Sequence, residues 1–86
     1  LSPELFPPII FALRAVSPEQ NPAIRRRWIA VIGCYLAVNY GRTGIADVLA
    51  NFPARVEGHV NGTYLTRDEI KSVWEEPGIY DLFDEQ

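Results

Sequence analysis

From Trp28 to Val38 the chain runs for 11 residues without a charge, directly behind three consecutive arginines, Arg25, Arg26 and Arg27. Asn21 and Pro22 precede this stretch as a cap and a first-turn proline, and Gly41 follows it as a stop, so a helix from Pro22 to about Tyr40 is expected. Ile24, Trp28, Val31 or Ile32, Tyr35 and Val38 fall on one face at helical spacing. Ile29, Ile32, Leu36 and Tyr40 form the adjoining face, and Ala30, Gly33, Cys34 and Ala37 form a third made of small residues. A helix apolar almost all round is normally buried on all sides. This one is therefore expected to be central, or partly covered by another chain, with its small-residue face admitting a close neighbour. On that reading Trp28, Ile32 and Leu36 are core side chains worth about 1.5–3 kcal/mol each. Losing Trp28 to alanine would then cost about 3–5 kcal/mol.

The rest of the chain is punctuated by caps and breakers. Ser2-Pro3-Glu4 and Ser17-Pro18-Glu19 both read as helix starts, with a capping hydroxyl, a proline and an early acid. Pro7 and Pro8 cannot lie inside a helix, so the first full helix should begin at one of them and run to about Ala15. It would present Ile9, Ile10, Phe11 and Leu13 over a wide apolar arc. Thr43 can cap a third helix, Gly44 to about Asn51, which Phe52-Pro53 ends. Between residues 55 and 65, Asn61-Gly62 is the strongest short hairpin signal a sequence offers, although Gly58 weakens the first arm. Thr66-Arg67-Asp68-Glu69 is a capping box that opens a fourth helix carrying Ile70, Val73 and Trp74. Pro77-Gly78 stops it, and Ile79, Leu82 and Phe83 suggest one last amphipathic turn. The expected fold is thus mainly α, a compact bundle of about four helices with either a short β-hairpin or a structured loop near residues 55–65.

Eighty-six residues suffice for one domain with a modest core. The chain begins at Leu1 and contains no methionine, so residues 1–86 are expected to be a single small helical domain cut from a longer protein. With a single cysteine, Cys34, no internal disulfide can form; an intracellular, cytoplasmic setting follows from that reading. The 11-residue apolar run is too short for a membrane helix, which needs about 20 residues. Asn61-Gly62-Thr63 matches a glycosylation acceptor, but a turn explains it more simply.

Charge is unevenly placed. Residues 1–55 hold six arginines against three acids, a net +3, whereas residues 56–86 hold two bases against eight acids, a net −6. Positive charge at a helix N-terminus opposes the macrodipole by about 0.3–1 kcal/mol per exposed charge, so Arg25–Arg27 call for a compensating anion. The protein's own acids, a partner's carboxylates and nucleic-acid phosphate all qualify.

Catalytic and metal chemistry find no footing in the sequence. His59 and Cys34 are the only residues of their kinds, and no P-loop, dinucleotide fingerprint, zinc spacing or nucleophile elbow appears. No cofactor, metal or small-molecule substrate is expected, and no enzymatic activity. Thr43 to Ala50 resembles the first helix of a helix-turn-helix, and Val56 falls where the second helix carries a core aliphatic. Phe52-Pro53 and Gly58 break that pattern.

The leading expectation is a non-catalytic protein–protein interaction or assembly domain. It would dock by an apolar helix face with an arginine/carboxylate rim formed by Arg25, Arg26, Arg27, Trp74, Asp81, Phe83 and Asp84. In a self-associating form, the basic shoulder of one copy would receive the acidic C-terminal segment of the next. The alternative is nucleic-acid binding through Arg14, Arg25, Arg26, Arg27, Arg42 and Arg55.

Overall fold

A computed structural model describes residues 4–83 except His59 and Asn61, with the side chains of Phe6, Leu82 and Phe83 also left undescribed. In chain order the elements are α1 (Phe6–Val16), α2 (Pro22–Asn51), β1 (Arg55–Glu57), β2 (Tyr64–Thr66), α3 (Arg67–Trp74) and a closing 3₁₀ turn (Ile79–Phe83). The chain is mainly helical, with three helices rather than four among the described residues.

The missing break lies at Gly41. The expected second and third helices form one element, α2, which kinks at Gly41 where the backbone takes φ 65° and ψ −165°. An L side chain is strained at that φ and glycine is not. The expected stop is therefore present as a bend, and Thr43 caps nothing. Asn21 does cap α2, its side chain accepting from the Ala23 N–H at 3.0 Å. At the other end Pro53 forces Phe52 into an extended conformation (ψ 137°) and α2 stops.

Helix α1 begins one residue ahead of Pro7 and Pro8, which sit in its first turn where their lost N–H groups cost nothing. The expected helix start at Ser17 is absent. Ser17 instead ends α1, fully buried, and its Oγ donates to the Val56 carbonyl at 3.3 Å. Ser2 lies outside the described residues.

Strands β1 and β2 pair antiparallel, with Arg55 opposite Thr66, Val56 opposite Leu65 and Glu57 opposite Tyr64. This is the expected hairpin, and it excludes a helix-turn-helix, whose second helix would occupy the same residues. Val56 and Leu65 face the core while their neighbours face out, the period-2 alternation of a half-buried ribbon. Gly62 has φ +84°, and the Asn61 half of the turn lies outside the described residues.

Both α1 and α3 pack on α2, and the hairpin covers α1 and the start of α3. The core draws Ile9 and Leu13 from α1, Ile29, Leu36 and Val48 from α2, Val56 and Leu65 from the hairpin, and Ile70 and Trp74 from α3. The Cα radius of gyration is 12.3 Å, close to the roughly 12 Å expected of a compact chain this long.

Candidate docking surface

The arginine triplet resolves into three different environments. Arg25 faces inward. Its Nε donates to Glu69 Oε1 at 2.5 Å and its Nη2 to Glu69 Oε2 at 2.7 Å; Nη1 donates to Ser17 O at 2.7 Å and Glu19 O at 3.2 Å, and Nη2 also to Tyr64 O at 2.8 Å. A guanidinium has five N–H donors, so these bonds use its whole capacity. One side chain thereby ties the start of α2 to the α1–α2 linker, to β2 and to α3. The Glu69 hydrogen bond raises the Arg25 pKa above its ordinary value, against desolvation that lowers it, and the carboxylate's charge adds to the rise. Glu69 is thus diverted from the capping box, of which only the Thr66 half forms: Thr66 Oγ1 accepts from the Glu69 N–H at 3.1 Å.

Arg26 forms an ion pair with Glu76, just beyond α3. Arg27 is exposed and has no ion pair among the described residues. The misfit of positive charge at the start of α2 is thus answered by the protein's own carboxylates. Of the three, Arg25 is engaged within the fold, while Arg26 and Arg27 remain exposed.

Trp74 cannot belong to a rim. Only 3% of it is exposed, and its Nε1–H donates to the Ile29 carbonyl of α2 at 2.6 Å. Gly33 lies directly beneath the indole, and a Cβ there would fall 2.4 Å from both Cδ1 and Nε1. The small-residue face therefore admits a tryptophan ring rather than a backbone. Asp81 is exposed on the 3₁₀ turn, which includes the backbone of Phe83; Asp84 lies outside the described residues.

The remaining arginines of the alternative site lie on three different elements. Arg14 sits over the Phe11 ring at 5.8 Å on α1, and Arg55 over the Tyr64 ring at 5.1 Å on the hairpin. Arg42 directly follows the kink in α2. There it borders a groove of about 400 Å³ with Ile45, Leu49, Glu75, Glu76 and Tyr80. The Tyr80 hydroxyl is buried with no hydrogen-bond partner among the described residues. Burial raises its pKa above the ordinary tyrosine value, the charge of a Cys34 thiolate adds to the rise, and Arg42 pulls it down.

The feature that the sequence reading placed in the core is the outer face of α2. Trp28 is 54% exposed, Tyr35 50%, Val38 83% and Ile24 43%. Severe losses on truncating a tryptophan come from cavities, and none opens where solvent already reaches the ring. The estimate of 3–5 kcal/mol for Trp28→Ala therefore does not stand. At 100° per residue these side chains and the half-buried Val31 form a stripe roughly opposite Ile29, Gly33 and Leu36, which face the core. The helix thus carries two apolar faces, and the domain covers one. Beside the open stripe, α1 and α2 enclose a groove of about 320 Å³ lined by Leu5, Pro8, Ile9, Ala12, Val31, Ile32 and Tyr35, none of them charged.

No group of three or more His, Cys, Asp or Glu side chains that could hold a metal occurs among the described residues. No helix among the described residues is long and apolar enough to cross a membrane. No protein family, no curated protein and no solved structure matches this chain.

Proposed function

We propose that this chain is a non-catalytic protein–protein interaction or assembly domain that docks through the outer apolar face of α2. The observation that supports it is the stripe of Ile24, Trp28, Tyr35 and Val38, each more than two-fifths exposed on one side of a helix whose other side is core. A contiguous exposed apolar surface of this kind marks an interaction site in a folded domain. Trp and Tyr at its centre are the residue types that dominate binding energy at interfaces. Arg27, at the edge of the stripe, supplies a charged rim. An intracellular, reducing compartment suits a chain with a single cysteine, Cys34.

The test is selection of peptides from a random display library on the immobilised domain, with counter-selection on the Trp28→Ser/Tyr35→Ser variant. Amphipathic helical peptides that need both aromatic residues are the expected yield. The reading is overturned if retained peptides bind both proteins equally. It is also overturned if single-stranded RNA or duplex DNA binds with an affinity that falls steeply with salt, the signature of phosphate contacts through the arginines.

A further inference from the structure

The spacing of the exposed stripe is its most specific property. Ile24, Trp28, Val31, Tyr35 and Val38 follow one another at intervals of 4, 3, 4 and 3 residues, the seam of a helix that packs lengthwise against another helix. The seam is also symmetric about Val31 to within one residue: Trp28 lies three before it and Tyr35 four after, and Ile24 and Val38 lie seven away on either side. Turned end for end, the stripe meets itself. Ile24 then faces Val38 of the second copy, Trp28 faces Tyr35, and Val31 faces Val31, so that each layer pairs side chains of similar kind. A surface complementary to itself under a two-fold rotation is what an isologous dimer requires.

We propose that the occupant of this face is a second copy of the same chain, its α2 packed antiparallel to the first about a two-fold axis at Val31; this rests on the reading of α2 as a docking face. Charge selects the direction. Parallel pairing would set the two exposed Arg27 side chains, which no carboxylate answers among the described residues, side by side. Antiparallel pairing separates one Arg27 from the other by about 12 Å along the axis, beyond the roughly 8 Å screening length of physiological salt. It also opposes the two helix dipoles. The area is sufficient for a modest interface. The exposed parts of Ile24, Trp28, Tyr35 and Val38 amount to roughly 500 Å² per copy, scaled from the 150–250 Å² of an aromatic side chain. Two copies therefore remove about 1,000 Å² from water, at the threshold of a specific association. The two-fold axis also places both copies of α1 on the same side of the paired α2 helices, so each apolar α1–α2 groove opens beside the seam and is narrowed by the partner.

Two measurements on the 86-residue chain test this. Sedimentation equilibrium across micromolar to millimolar concentrations should show a reversible monomer–dimer equilibrium. Val38→Lys should weaken it roughly thirtyfold or more, the range of a hot-spot loss. Because Val38 is 83% exposed in one copy, the variant should keep the parent's melting curve at concentrations where both are monomeric. For the register, single cysteines are placed in a Cys34→Ser background and oxidised. Val31→Cys should link to itself; Ile24→Cys and Val38→Cys should link to each other when mixed and scarcely to themselves. Self-links at Ile24→Cys and Val38→Cys equal to those at Val31→Cys would overturn the antiparallel arrangement. A chain that stays monomeric to millimolar concentration without a Val31→Cys link would overturn the dimer. Peptides that still need Trp28 and Tyr35 would then leave the docking face standing without self-association, whereas loss of both results would remove the docking reading as well.

Discussion

Gly33→Ala puts the central contact of the core under direct test. In the interior of an exposed helix this change is stabilising by about 0.8–1 kcal/mol, because alanine has the higher helix propensity. Here the added Cβ would sit 2.4 Å from Cδ1 and Nε1 of Trp74, against an optimal carbon contact of about 3.5–4.0 Å. The indole must withdraw by roughly 1 Å to restore that contact. It is not free to do so. Trp74 is buried, and its Nε1–H is held by the Ile29 carbonyl at 2.6 Å, one turn before Gly33 on the same helix. Withdrawal weakens that bond, worth about 0.5–1.5 kcal/mol net, and overpacks the surrounding core at about 1–3 kcal/mol. Set against the propensity gain, the change should destabilise the domain by about 1–3 kcal/mol. For a chain of this length that lowers the melting temperature by roughly 5–20 °C. Thermal and urea unfolding followed by circular dichroism measures it. A double-mutant cycle with Trp74→Phe isolates the cause, because the smaller ring leaves room for the methyl and the coupling should be about 0.5–3 kcal/mol. A Gly33→Ala protein as stable as the parent, or an identical loss in both backgrounds, would refute the argument.

Arg25→Lys should cost about 1–2 kcal/mol, because an ammonium can neither grip Glu69 with two parallel bonds nor reach three carbonyls at once. Arg27→Lys, at the exposed end of the triplet, should stay within about 0.5 kcal/mol of the parent; equal losses in urea titrations would show that Arg25 is not the clasp. Tyr80→Phe removes a buried hydroxyl that has no partner among the described residues, so it should be neutral or stabilising by about 1 kcal/mol. Its pH dependence has a definite sign. The folded-state pKa of Tyr80 is raised above 10.0, so its contribution is fully present below pH 10 and is lost as pH rises through the folded value. The parent should therefore lose more stability than Tyr80→Phe in alkaline melts, and parallel curves would contradict the assignment.

The locally encoded parts of the fold are the parts that the sequence displays. Asn21 and Pro22 start α2 through bonds made within one turn, and Pro53 ends it by acting on its immediate neighbour. Val56 and Leu65 alternate with polar neighbours across a hairpin whose register spans only a few residues. Gly41 is a more instructive case. Glycine signals a positive φ, but a positive φ serves equally well for a stop between two helices and for a bend within one. At Gly41 the ψ of −165° interrupts the helical backbone, and the following residues resume the helix beyond a kink, a choice that the glycine alone does not announce. Arg25 and Glu69 show the same limit at longer range. A capping box and an arginine triplet are each legible alone, but they lie 44 residues apart, and nothing local predicts that Glu69 answers the triplet instead of its own helix.

That the outer face of α2 reads as core in the sequence follows from what periodicity measures. A hydrophobic stripe repeating at helical spacing identifies side chains that share a direction; it carries no information on what stands in that direction. Coverage depends on how much other structure the chain can bring. Before its kink at Gly41, α2 runs for residues 22–40, 19 residues or about 28 Å, whereas α1 with 11 and α3 with 8 reach only about 16 and 12 Å. Two short helices and one small hairpin can clothe one side of such a rod, and they do so along Ile29, Gly33 and Leu36. They cannot also clothe the opposite side. Arg27 and Asn39, flanking the stripe on the two edges of the helix, are the only polar hints in the sequence that this direction leads to solvent. In a chain of 86 residues, a long helix that is apolar all round therefore carries more hydrophobic surface than its own domain can bury. The excess, centred on Trp28 and Tyr35, is what a docking partner would cover.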